Sequence, residues 1–334
     1  MQASSKRTGQ VRLALMLIVG VAAAAACVMT LMLWKTPAAS GQDEGGETVP
    51  NEESFVVKCR YVENSRAAVD PIVDFGINPS HHLHDFYGNT TTGANSTYQT
   101  LRTGGTTCDD PGDTAAYWAP TLSWTDSSGT TERTASITRF YYRLGGKSPN
   151  VPVNPHPALD TDGDGQLDDG LKIVTVQGKN VQWRCMNTGT FSTKPPSRCD
   201  NGKLVVRVMF PDCLAVAKDE QGQPIIDPTT GKQIPLLDSP DHRSHMVDSV
   251  RPENALKDKC PSTHPYPVPM LQTNIEFPIP PGTRGTVKLS SGAYSTMHAD
   301  FFNAWDQARL EHLVDTCLNN EPFTASYPKP DECF

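Results

Sequence analysis

The chain has 334 residues, with 28 Pro, 25 Gly and nine Cys, which excludes a helical bundle and implies many short elements joined by turns. Four of its 29 basic residues fall within the first 35 positions, where there is no acid, so the remaining 25 face 37 acidic residues, a net of −12. A nucleic-acid binder usually presents a basic face, so no nucleic-acid partner is expected.

Residues Leu13 to Trp34 run for 22 positions without a charge. At a helical rise of about 1.5 Å per residue this is roughly 33 Å, enough to cross a hydrocarbon core. Lys6, Arg7 and Arg12 precede the run and an acidic region follows, so the N-terminus is expected inside and the rest outside. Residues 1–35 therefore read as a signal anchor, or as a signal peptide if cleaved near Ala38-Ala39-Ser40. Localisation follows: the outer face of the plasma membrane, held by the N-terminal helix, or secreted after cleavage. Residues 36–53 are polar, contain Gly and Pro, and read as a flexible linker. Residues 54–334 are then one exported β-rich domain.

Within that domain, short runs rich in Val, Ile and aromatics predict strands at Phe55–Cys59, Ser136–Tyr142, Leu171–Val176, Leu204–Phe210, Asn274–Phe277 and Thr286–Leu289. Phe302, Trp305, Leu310, Leu313, Val314 and Cys317 recur at roughly helical spacing and predict a C-terminal helix with Asp300 as its N-cap. The expected fold class is mainly β: a single sandwich-like domain with long loops, 143–170 and 214–240 among them, and one C-terminal helix.

Cys27 lies inside the apolar span. The other eight, Cys59, Cys108, Cys185, Cys199, Cys213, Cys260, Cys317 and Cys333, are an even set, as an exported disulfide framework requires. Short loops favour Cys185–Cys199 and Cys317–Cys333; the remaining pairs stay open.

Six of the nine histidines fall in three motifs: Ser80-His81-His82-Leu83-His84-Asp85, Asp241-His242-Arg243-Ser244-His245 and His298-Ala299-Asp300. On a strand His82 and His84 share a face, and on a helix His242 and His245 do. Either spacing suits two imidazoles on one divalent transition metal, with Asp300 as a further ligand. The alternative is acid–base chemistry by His beside Asp. His82, His84, His242, His245, His298 and Asp300 are accordingly the candidate catalytic or metal-ligating residues. G-x-S-x-G, Walker A, G-x-G-x-x-G and H-E-x-x-H are absent from the sequence.

Asp160, Asp162 and Asp164 alternate before Gly165, as in the first half of a calcium loop, with Gln166 and Asp168 as further ligands. Position 12 is Leu171 rather than Glu, and prolines precede the loop, so calcium without an EF-hand fold is expected. Tyr117 and Trp118, beside Pro120, are candidates for stacking on a sugar ring.

Val69-Asp70-Pro71-Ile72-Val73, the His82/His84 pair, Ala116-Tyr117-Trp118-Ala119-Pro120, Phe210-Pro211-Asp212-Cys213, Asp241-His242-Arg243-Ser244-His245 and His298-Ala299-Asp300-Phe301-Phe302-Asn303-Ala304-Trp305-Asp306 occur in that order. This ordered set resembles the secreted domain-of-unknown-function family nineteen-ninety-six of fungi and actinobacteria, across residues 55–317. Leu214 stands where that family usually has an aromatic, and the calcium-like loop is not typical of it. The resemblance implies a secreted or wall-associated protein and, by association alone, a polysaccharide setting. It supplies no reaction. Two functions are therefore expected to compete: an exported enzyme acting on a cell-wall glycan or other polysaccharide through the His/Asp site, and a non-catalytic wall- or ligand-binding protein whose histidines are structural.

Overall fold

Alternating burial explains the largest sheet. In a computed structural model, which describes residues 54–135, 137–145, 152–188, 190–251, 258–320 and 329–334, Phe55, Val57 and Cys59 are buried on one face of the strand Ser54–Arg60. Thr138, Phe140 and Tyr142 do the same on Ile137–Arg143. These two strands continue antiparallel into Met270–Pro278, Lys203–Met209 and Val181–Cys185, giving five strands in that spatial order. The strands expected at 55–59, 136–142, 204–210 and 286–289 are present with small shifts of boundary, 274–277 lies within the longer Met270–Pro278, and 171–176 is shortened to Lys172–Val174; Ser136 lies outside the described residues.

A second, four-stranded sheet carries the chemistry. Its order is His84–Gly88, Ala116–Pro120, Asp300–Phe302 and Lys172–Val174, all antiparallel. One face presents Tyr87, Tyr117, Phe301 and Ile173 to the main core, where the Tyr117 ring stacks on Phe140 of the large sheet with centroids 3.8 Å apart. The other face presents Phe86, Trp118, Phe302 and Val174 to a smaller apolar cluster with Val69, Ile72, Tyr98 and Leu101. The strand His84–Gly88 ends at a glycine with φ of 78°, whose missing Cβ would meet the Ala115 carbonyl oxygen at 2.6 Å.

The C-terminal helix begins later than its spacing predicts. Gln307–Val314 is helical, and Asp306 caps it by accepting the Arg309 amide at 3.0 Å. Asp300–Phe302 is strand, so Asp300 is not the cap: Phe301 and Phe302 are both buried, one on each face of the sheet, and their spacing to Trp305 only mimics a helix. The helix passes into a wider turn at Asp315–Asn319. A one-turn helix at Tyr98–Arg102 carries no signal strong enough to be expected.

Both expected disulfides form, Cys185–Cys199 and Cys317–Cys333, joined by Cys59–Cys108 and Cys213–Cys260. Four bridges fit an exported domain. The apolar span at 13–34 and the linker at 36–53 lie outside the described residues, among which no helix is long and apolar enough to cross a membrane.

Candidate functional site

Three histidines from two distant segments meet on the smaller cluster's face of the second sheet. The His82 and His84 ring centroids are 4.3 Å apart, and His298 lies 5.2 Å from the first and 5.8 Å from the second. Period two accounts for this placement. His84 is the first residue of its strand and shares a face with Phe86, while His298 precedes Asp300 by two on a neighbouring segment. Asp300 pairs with Trp118, which in turn pairs with Phe86, so the carboxylate falls in the same row. The strand's position is fixed from its other face, where Asp85 accepts two bonds from Arg66 at 2.6 and 3.0 Å and a third from Thr121 at 3.0 Å.

The ring nitrogens have unequal partners. The Nδ1 of His84 donates to the Val69 carbonyl at 2.8 Å, and the Nδ1 of His298 donates to the Thr296 carbonyl at 2.9 Å. That tautomer leaves a lone pair on each Nε2. The Nε2 of His84 is buried with no hydrogen-bond partner, as is that of His82. The Nε2 of His298 lies 3.9 Å from Asp300 Oδ2. Both carboxylate oxygens of Asp300 are buried without a partner, although the residue is only 1% exposed. A buried polar atom without a partner costs about 1–3 kcal/mol, and here several share one spot.

Asp70 joins the group unannounced by the sequence. Its Oδ1 caps the turn after it, accepting the amides of Ile72 at 3.0 Å and Val73 at 2.9 Å. One ligand atom each from His82, His84 and His298 lie within 4.8 Å of one another, and so do one each from Asp70, His84 and Asp300. His84 belongs to both sets.

Electrostatics sharpen the picture. Burial, then the neighbouring charges of His82 and His298, push the His84 imidazole down to about 3. Burial also lowers His82 and His298. Burial raises Asp300 well above the ordinary carboxylate value, with Asp70 adding to the rise and Arg243 opposing it. Asp70 is likewise raised by burial. The site alone therefore disfavours every charge it can carry. Buried carboxylates and neutral imidazoles are donor types that a divalent cation favours.

The group opens to a cleft of about 390 Å³ whose lining includes His82, His298, Asp70, Asp300, His81 and Arg243. Asp74 accepts from Ser80 Oγ at 2.5 Å and from His81 Nδ1 at 2.7 Å. The His81 ring is otherwise largely exposed.

His242 and His245 do not join the three histidines. The Nδ1 of His242 bonds Asp238 at 3.0 Å. His245 is buried with both nitrogens spent, on Ser239 Oγ at 3.0 Å and the Lys172 carbonyl at 2.8 Å. The motif is a turn rather than a helix, with His242 at a φ of 55°, so the expected shared helical face does not exist. Arg243, between them, is the member that reaches the cleft.

Tyr117 and Trp118 are 2% and 1% exposed, which corrects their reading as a sugar platform: neither ring face is open to solvent. The Tyr117 hydroxyl donates inward to Asp113 at 2.8 Å and lies 2.7 Å from the Tyr142 hydroxyl. Trp118 packs against Phe86.

The acidic loop forms an exposed hairpin end between Ala158–Leu159 and Asp169–Gly170. Asp160, Asp162 and Asp168 bring ligand atoms within 4.8 Å of one another; Asp164 and Gln166 are not in that group. Asp160 accepts the amides of Gly163 at 2.6 Å and Gly165 at 2.7 Å, which shapes the turn. Asp164 accepts the Gln166 amide at 2.7 Å.

No curated protein and no solved structure matches the chain. A family model described as a domain of unknown function, DUF1996, matches residues 70–305, which reach from the first candidate carboxylate past the last. The ordered motifs that build the site thus lie within the matched segment, and the chain belongs to the DUF1996 family.

Proposed function

We propose that this exported domain holds a divalent transition metal on His82, His84 and His298, with Asp300 and Asp70 supplying carboxylate oxygens, and acts through it on a ligand that enters the cleft. The observation that carries the reading is the buried, unpartnered set formed by the Nε2 atoms of His82 and His84 and both oxygens of Asp300. Val69 and Thr296 support it from behind. Carbonyls that accept from Nδ1 fix each ring with its Nε2 lone pair free, the usual outer arrangement around a metal-bound imidazole.

A metal open to a cleft supplies Lewis acidity or lowers the pKa of a bound water. Around it, Asp74 orients His81 at the cleft, where the exposed ring is placed to give or take a proton. The substrate class that goes with export is a cell-wall glycan or another polysaccharide; that part rests on the family resemblance. Calcium on the Asp160, Asp162 and Asp168 loop is a separate, structural proposal, as is retention of residues 1–35 as an anchor.

The test is metal analysis of the full chain purified without chelator. About one equivalent of a divalent transition metal, lost in His84→Ala while the fold by circular dichroism is kept, supports the proposal. A metal-free wild type that does not take up zinc, copper, manganese or iron on dialysis returns the histidines to a structural role.

A further inference from the structure

Arg243 is held at the cleft by a turn whose histidines have no other evident task. Its amide donates to Ser239 Oγ and Asp241 Oδ1, each at 3.2 Å, and its carbonyl accepts the Met246 amide at 3.1 Å. His242 precedes it in the left-handed region, a costly conformation for a residue with a side chain, and is pinned to Asp238. His245 follows it and clamps the turn to the Lys172 carbonyl, on the strand next to Asp300–Phe302. The backbone of Arg243 is thus fixed on both sides and tied to the sheet that carries the site.

Among the described residues its guanidinium has no neutralising partner. The acids nearest in sequence are already engaged: Asp238 with His242 and the Ser239 amide, and Asp241 with the Ser239 hydroxyl and the amides of Arg243 and Ser244. Among the described residues its guanidinium makes no hydrogen bond or ion pair, while it lines the same cleft as His298 and Asp300. Its charge acts on both of them, lowering each. In a domain with an excess of acid, this exposed cation stands unpaired, among the described residues, on the cleft that Asp300 and His298 also line.

We propose that Arg243 is a substrate-binding residue, the receptor for an oxyanion, so that the molecule entering the cleft carries a carboxylate or a phosphate ester. The guanidinium fork matches two oxygens of either group. The inference deepens the metal reading and rests on it for what lies deeper in the cleft, since the anion held by Arg243 places the rest of its molecule toward His298 and Asp300. For a polysaccharide this means an acidic or phosphorylated one.

The test is calorimetric titration of the purified full chain with inorganic phosphate, galacturonate and, as the neutral counterpart, galactose. Metal content is measured on every sample. The expected result is binding of at least one anion in preference to galactose, weakened by about 10- to 100-fold in Arg243→Gln, with metal content unchanged. Arg243→Lys, which keeps the charge but not the fork, is expected to recover part of the loss, and it carries the comparison should the Gln variant disturb the turn. Preference for phosphate or for galacturonate tells which oxyanion the site takes. Equal anion binding in wild type and both variants, or no preference for either anion over galactose, overturns the inference. A wild type that takes up no metal on dialysis yet still binds an anion through Arg243 overturns the metal reading and leaves this one standing; a metal-loaded wild type that binds neither anion does the reverse.

Discussion

The His82–His84 segment and the Asp238–Met246 turn have similar compositions and opposite hydrogen-bonding. Each contains two closely spaced histidines with Asp nearby, and each has a buried imidazole, His84 in one and His245 in the other. The difference lies in the second ring nitrogen. His245 spends both on protein partners, so its ring is a strut between the turn and Lys172. His84 spends Nδ1 on Val69 and leaves Nε2 buried and unpaired, facing two more imidazoles and a carboxylate. Counting the partners of each ring nitrogen separates a candidate ligand from a strut where residue type and spacing do not.

The largest effect that this contrast predicts is on metal affinity. His84→Ala removes the ligand common to both groups and is expected to weaken metal binding by at least about 100-fold, beyond the 10- to 100-fold typical of outer-shell changes. His245→Ala is expected to leave affinity within a few-fold. Titration of both variants with zinc checks this, and equal losses would erase the distinction between the two regions.

Acid comes next. In the chelated protein the folded pKa of His84 is depressed to about 3, against 6.5 ordinarily, and His245 is also lowered, by burial. Between those values the unfolded chain binds a proton that the folded one refuses. The His84 contribution is therefore complete above about pH 6.5 and falls as pH drops toward 3, by on the order of 1.4 kcal/mol per unit, and His245 acts in the same direction. Asp300 and Asp70 run the other way: raised by burial, they favour the fold below the ordinary carboxylate value of 3.8 and lose that contribution as pH rises through their folded values. Metal is accordingly expected to stabilise the domain more at pH 7 than at pH 5. Thermal melts with and without zinc at both pH values measure the difference; the opposite order would contradict the charge balance assigned to the centre.

His245→Ala has its own cost. It strands the Lys172 carbonyl and removes one of several bonds to the Ser239 hydroxyl, which keeps Asp241, and about 2 kcal/mol of stability should be lost in denaturant titration. It should also make the acid slope of the chelated protein shallower, since one of the groups that refuses a proton is gone. The smallest effect is far from both regions. Asp306→Ala removes the helix cap and is expected to cost about 1 kcal/mol, with metal binding unchanged.

Much of this was legible in the sequence, for identifiable reasons. Four of the five large-sheet strands were, because Val, Ile and aromatics alternate there between turn residues; Val181–Cys185 and the site strands His84–Gly88, Ala116–Pro120 and Asp300–Phe302 were not. His82, His84, His298 and Asp300 were, because period-two spacing survives in the strand and in the segment leading into it. The helix start was not: Phe302 and Trp305 sit at a helical interval, yet Phe301 between them is buried too, which a one-faced helix does not require. Asp70 was hidden because Asp before Pro reads as a turn cap, a role that it also fills through Ile72 and Val73. Arg243 was hidden because its flanking histidines drew the reading toward themselves. Tyr117 misled because its hydroxyl, which suggests an exposed ring, is satisfied inside the core by Asp113 and Tyr142.

The most direct test of the metal centre is anomalous X-ray diffraction from crystals of the full chain grown with a divalent transition metal, recorded above and below that metal's absorption edge. The expected result is one strong peak about 2 Å from the Nε2 atoms of His82, His84 and His298, with Asp300 or Asp70 in its shell. Peaks confined to the Asp160–Asp168 loop or the protein surface, with the three imidazoles hydrogen-bonded to water, would contradict it.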